Sequence, residues 1–182
     1  PKLIEKYINL PISASTLSRM VSEKQLNGDE LKSYEKVMEE SYRMYINDHK
    51  KVWIKFFEIL LRSNKRPIIF HCSAGKDRTG IASFMIQSIF NNHIDKIFEN
   101  YLISNDLLTI KAATAEQKTN STKKDTQVTK NMLSTLGKVQ TSYLNAAIDE
   151  IEKKYSSLEN YFISQLGLKH NDIQKILQIF GN

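Results

Sequence analysis

The sequence predicts an α/β fold whose C-terminal half is rich in helix, and three observations carry that expectation. Apolar residues recur at helical spacing over most of the chain. One short stretch, Pro67-Ile68-Ile69-Phe70, is instead continuously apolar, bounded by Lys65-Arg66 and by a glycine-containing loop. Continuous rather than alternating apolar character is how a strand buried on both faces reads, so this run is expected to be the central strand of a small, mostly parallel sheet with flanking helices. The third observation is size: 182 residues, 41% hydrophobic and 25% charged, suit one domain with its own core and give no sign of a linker or repeat.

The elements follow in order. Lys6 to Ile12 reads as a short strand leading into Pro11 and Ile12. Leu31, Tyr34, Val37, Met38, Tyr42, Tyr45 and Ile46 form one helical stripe, with Asp29 placed to cap its start. Val52, Trp53, Phe56, Phe57, Leu60 and Leu61 form a second, ending near Ser63-Asn64. Beyond Thr79, a helix apolar on most sides (Ile81, Phe84, Met85, Ile86, Ile89, Phe90) is expected to run through the core. Ile94, Ile97, Phe98, Tyr101 and Leu102 mark the next. Residues 111–130 then turn polar, which fits either a mobile loop or a solvated helix. Helices resume around Tyr143 to Ile151 and Leu158 to Leu166, the latter stopped by Gly167. Asn171 or Asp172 can cap a last helix carrying Ile173, Ile176, Leu177 and Phe180.

Charge and cysteine usage narrow the partners. A net charge of +6 suits an anionic partner such as a phosphorylated substrate or an acidic membrane surface. The basic residues are scattered, with no arginine-rich arm, which argues against nucleic acid. No apolar run approaches the roughly 18 residues of a membrane span. The single cysteine, Cys72, excludes an internal disulfide and zinc-finger spacing, and leaves a cytoplasmic or an exported location equally open. The chain starts at Pro1 rather than Met and reads as a trimmed piece, so a removed leader would leave no trace.

The chemistry is expected in His71-Cys72-Ser73-Ala74-Gly75-Lys76-Asp77-Arg78-Thr79-Gly80. A glycine loop that opens a helix offers unpaired N–H groups and a partial positive charge, which together form an anion site. The backbone of Ser73, Ala74, Gly75, Lys76, Asp77 and Arg78 is placed to nest a phosphate, with Gly75 taking angles closed to other residues. Cys72 stands at the base, where the positive field lowers its pKa and makes a nucleophilic thiolate. Arg78, six residues later, can bind two phosphate oxygens at once with its planar fork. Thr79 is placed to donate its hydroxyl to the sulfur, His71 to support the loop from behind, and Gly80 to let the helix pack closely against the sheet. The expected reaction is phosphoryl transfer to Cys72 followed by hydrolysis, with no metal or cofactor required. A nucleotide-binding loop would need glycine five residues before Gly75 and Ser or Thr after Lys76; Phe70 and Asp77 stand there instead.

At these residues the chain resembles the cysteine-dependent (Cys-x5-Arg) protein tyrosine phosphatase superfamily. Gly-Lys-Asp-Arg-Thr-Gly narrows the resemblance to its bacterial atypical tyrosine and phosphoinositide phosphatase family. Tyr101-Leu102-Ile103-Ser104-Asn105 is similar to that family's Tyr-Leu-x-Ser-Asn stretch, and Leu144 to Leu168 to its C-terminal helices, with Ser156 where the family usually has glycine. The similarity covers roughly residues 60–182.

The resemblance implies a phosphatase-type fold over 1–182, here lacking an N-terminal strand-rich portion, and a mobile lid over 109–136. It implies Asp77 as the acid that protonates the leaving group. Asp48, which falls in chain order where a separate acid loop would, is the alternative read from the residues themselves, as is a residue upstream of Pro1. It further implies a phosphotyrosine or dual-specificity protein phosphatase. It suggests that Lys76, adding positive charge in the pocket, favours multiply phosphorylated substrates, so that phosphoinositides join phosphotyrosine; a solvated lysine with no role in selectivity is the alternative. An inactive phosphate-binding module and an inositol (pyro)phosphate phosphatase are the competing expectations.

Overall fold

The computed structural model describes residues 6–13, 30–116 and 137–181. Within them the chain forms seven helices: α1 (Glu30–Asn47), α2 (Lys50–Leu61), α3 (Asp77–Ile89), α4 (Ile94–Glu116), α5 (Thr141–Tyr155), α6 (Leu158–Ser164) and α7 (His170–Phe180). No strand occurs among the described residues, so the expected α/β architecture with its parallel sheet is corrected to an assembly of helices.

The physical reason lies in residues 66–72. They form no regular element, because a strand requires a neighbouring backbone to complete its ladder and no described segment supplies one. The apolar run is also covered on one side only. Ile69 is 88% exposed, while Ile68 and Phe70 lean on the core, with the Phe70 ring 5.4 Å from Phe56 in an edge-on contact. Four apolar residues in a row therefore did not mean burial on both faces. Lys6 to Ile12 is likewise irregular rather than a strand.

The helical stripes pack as their spacing requires. Tyr34, Val37, Met38, Tyr42, Tyr45 and Ile46 bury one face of α1, which lies along α5 and meets Tyr143, Leu144 and Ala147 there. Helix α2 buries Trp53, Phe56, Phe57 and Leu60. Its Trp53 Nε1 donates to the Tyr45 carbonyl at 2.7 Å, so the indole is apolar in body and satisfied at its polar edge. Tyr161 of α6 does the same, donating to the Ile46 carbonyl at 3.0 Å. Helix α3 crosses the interior with Ile81, Ala82, Phe84, Met85 and Ile89 buried, and packs on α4.

The helix ends show local chemistry. Gly167 takes φ +68° just beyond α6, and the following Leu168 N–H closes back on Phe162 O at 3.0 Å. Asp172 caps α7 from within its first turn, accepting from the Lys169 N–H at 2.9 Å. Asp29, expected to cap α1, lies outside the described residues. Of the expected lid, 109–116 continue the backbone of α4, and the remainder lies outside them.

Candidate active site

The loop of residues 73–76 joins the segment 66–72 to α3, which starts at Asp77. Gly75 sits at φ +72°, a conformation costly for a residue with a Cβ, and this turns its N–H toward Cys72 Sγ at 3.3 Å. Gly80 N–H reaches Lys76 O at 2.8 Å and so starts the helical ladder right after the turn.

Cys72 is half-buried. Burial pushes its thiol up, but the Thr79 hydroxyl and the backbone N–H groups of Thr79, Gly75 and Lys76 act together on the sulfur and bring it down to about 7. Thr79 Oγ1 is buried and has no hydrogen-bond partner among the described residues, so its pull on the sulfur is one of proximity. His71 is exposed, its Nδ1 3.1 Å from the Cys72 carbonyl oxygen, on the outer side of the loop.

Arg78 reaches back over the loop. Its Nη2 donates to Ser73 Oγ at 3.1 Å and its Nη1 to the Ile12 carbonyl at 2.9 Å. The Nε–H is buried without a partner, which leaves the Nε–Nη2 edge, the one suited to two oxygens of a phosphate, with donors to spare. Ala74 is exposed within the loop.

Asp77 and Lys76 turn inward. Lys76 is only 5% exposed; its Nζ lies 3.1 Å from Asp77 Oδ1 and 3.3 Å from the Lys138 carbonyl. The Tyr42 hydroxyl donates to the same Asp77 Oδ1 at 3.0 Å and lies 2.6 Å from the Tyr101 hydroxyl. Burial, then Asp77, then Tyr101 raise the Tyr42 pKa well above its ordinary value, so its proton stays in place as a donor. Tyr45 is pushed up to about 12 by burial first, with Asp77 and Cys72 adding to the rise and Arg78 opposing it. Asp48 is exposed just past α1, its N–H bonded to Met44 O at 2.9 Å; His49, not Asp48, occupies the N-cap of α2. Desolvation lowers the His49 pKa, opposed by Asp48 and assisted by Arg78.

Gly80 packs against a ring rather than against a sheet. A Cβ there would meet Tyr101 Cε2 and Cδ2 at 2.8 and 2.9 Å. The same Tyr101 borders a cleft of about 130 Å³ between α3 and α4, which reaches the loop at Gly75, Lys76 and Thr79.

Tyr42, Tyr45, Tyr101, His49 and Ile12 thus join a site that the motif alone did not contain. One signal pointed to the tyrosines: in a buried stripe a tyrosine needs a partner for its hydroxyl, so Tyr42 and Tyr45 among aliphatic residues implied a polar centre nearby. Among the described residues no group of three or more His, Cys, Asp or Glu side chains is arranged to hold a metal ion.

A thiol just ahead of a helix start, with a loop N–H on its sulfur and an arginine folded over the same loop, is the local arrangement that the structure gives. The chain belongs to the tyrosine phosphatase family, whose model matches residues 1–180. A Cupriavidus necator protein described as a "putative tyrosine-protein phosphatase" is 32% identical over 96 residues, which are 53% of this chain and 34% of that protein. The chain therefore spans about a third of the length of the curated relative that it matches.

Proposed function

We propose that residues 1–182 form a single phosphatase domain that hydrolyses phosphate monoesters through a phosphocysteine intermediate, with phosphotyrosine or dual-specificity protein substrates. The observation that carries this reading is the Cys72 thiol just ahead of α3, with the Gly75 N–H 3.3 Å from its Sγ and Arg78 reaching over the same loop to Ser73, where the surrounding donors bring the thiol to about 7. In the first step Cys72 Sγ forms a bond to phosphorus while the bond from phosphorus to the leaving oxygen breaks, and that oxygen takes a proton from Asp77. The loop N–H groups and the Nε–Nη2 edge of Arg78 stabilise the equatorial oxygens. Water then attacks phosphorus and gives a proton to Asp77, the S–P bond breaks, and the thiolate returns with release of phosphate.

The buried pairing of Lys76 with Asp77 and the Lys138 carbonyl favours phosphotyrosine over multiply phosphorylated ligands, since the Lys76 ammonium is already engaged. Phosphoinositides, with peripheral contact to an acidic membrane, and inositol pyrophosphates are outcomes that a competition assay against a phosphotyrosine peptide separates. No helix among the described residues is long and apolar enough to cross a membrane.

The test is hydrolysis of p-nitrophenyl phosphate in EDTA by the wild-type chain and by Cys72→Ser. Turnover that survives chelation and disappears in Cys72→Ser is expected. Phosphate binding without turnover would establish a silent binding module instead.

A further inference from the structure

Asp77 is held by one oxygen only. Its Oδ1 accepts from the Tyr42 hydroxyl at 3.0 Å and from Lys76 Nζ at 3.1 Å, while nothing among the described residues donates to Oδ2. Because Tyr42 spends its single proton on Asp77, the 2.6 Å contact between the two tyrosines is made by Tyr101 donating to Tyr42. The result is a directed chain from Tyr101 to Tyr42 to Asp77, with Lys76 closing on the same oxygen from the loop and anchored to the Lys138 carbonyl. The adjoining Val139 is clamped in turn, accepting from Asn105 Nδ2 at 3.0 Å and donating to Asn105 Oδ1 at 2.8 Å. Tyr101 and Asn105 lie four residues apart on α4, so one face of that helix braces both Asp77 and the strap that holds Lys76.

We propose that Tyr42, backed by Tyr101 and opposed by Lys76, is a positioning residue that fixes the Asp77 carboxyl so that its transferable proton resides on Oδ2. The inference rests on the phosphatase reading above. In the first step the proton passes from Oδ2 to the leaving oxygen as the P–O bond breaks; in the second, Oδ2 takes the proton that the attacking water gives up. Oδ1 keeps its two donors throughout, so the carboxyl changes protonation without rotating. In the first step an acid fixed in this way contributes only where the leaving group needs its proton, whereas the second step is common to all substrates. The two roles therefore separate in kcat/KM, which reports the steps through cleavage of the P–O bond.

The experiment compares kcat/KM on phenyl phosphate and on p-nitrophenyl phosphate for the wild type, Tyr42→Phe, Tyr101→Phe, Asp77→Asn and the Tyr42→Phe/Asp77→Asn pair, with thermal melts of each. Tyr42→Phe retains the ring and is expected to lower kcat/KM on phenyl phosphate by about 10- to 100-fold, with a loss on p-nitrophenyl phosphate at least about 10-fold smaller. Tyr101→Phe should move both rates in the same direction by less. Added to Asp77→Asn, Tyr42→Phe should cost little more, because both changes disable one acid. Equal losses on the two substrates, or full additivity in the pair, would mean that the hydroxyls only support the fold and would overturn the inference alone. A wild-type chain inactive on both substrates would overturn the phosphatase reading and this inference with it.

Discussion

At Cys72, competing forces of comparable size set the charge. Desolvation favours the thiol, and three N–H groups and one hydroxyl favour the thiolate; the second set prevails and the group titrates near 7. The rate of Cys72 alkylation should therefore rise with pH through a midpoint near 7. In Thr79→Ala that midpoint should move up toward the ordinary thiol value of about 8.5, and Thr79→Ser should restore it. The sign for stability follows. An acid whose folded pKa is depressed stabilises the fold above its unfolded pKa and loses that contribution as pH falls through about 7. A melt series of Cys72→Ser against the wild type, run across that window, should diverge on the alkaline side. Neither result depends on which phosphorylated molecule the site accepts.

At the level of single elements, the end of α5 carries a cost that one substitution removes. Ser156, exposed at the helix C-cap, sits at φ +66°, ψ −18°, where its Cβ crowds the backbone. Glycine is the usual residue in that conformation, and the family that the chain resembles usually has glycine here. Ser156→Gly should raise stability by about 1 kcal/mol, read as a shift of the denaturation midpoint at constant slope, because the relief of left-handed strain exceeds the added freedom of the unfolded chain. The helices themselves were largely legible. Period-3.6 stripes located α1 to α3 and α5 to α7 because each buries one face, and the core crossing of α3 followed from its lack of a polar side. The segment 66–72 was not legible. Its apolar continuity is the same whether a second backbone pairs with it or Ile69 faces solvent, and only neighbours distant in sequence distinguish the two.

Across the whole molecule, the site depends on a contact between helices. Gly80 in α3 faces Tyr101 in α4, and Tyr101 supports Tyr42 in α1, which holds Asp77. In Gly80→Ala the gain in helix propensity, about 1 kcal/mol, competes with overpacking, which costs about 1–3 kcal/mol. A Cβ 2.8 Å from a buried ring cannot be relieved by a flexible chain end, so the clash should prevail. Lower stability is expected in denaturant melts, with weaker tyrosine-to-Asp77 coupling. The turn of residues 73–76 and the helix that follows it were readable from the sequence because they are contiguous: the glycine turn, Cys72 and Arg78 lie within ten residues of chain. What the sequence by itself determined was therefore this local turn into α3 and the amphipathic helices around it. The tertiary structure alone decided that Lys76 faces inward, that Ile12 holds Arg78 across 66 residues, and that Tyr42 meets Asp77 from 35 residues away, backed by Tyr101 from another helix. Sequence spacing encodes contacts one helical turn away; contacts between helices depend on how buried faces pack, which no local pattern records.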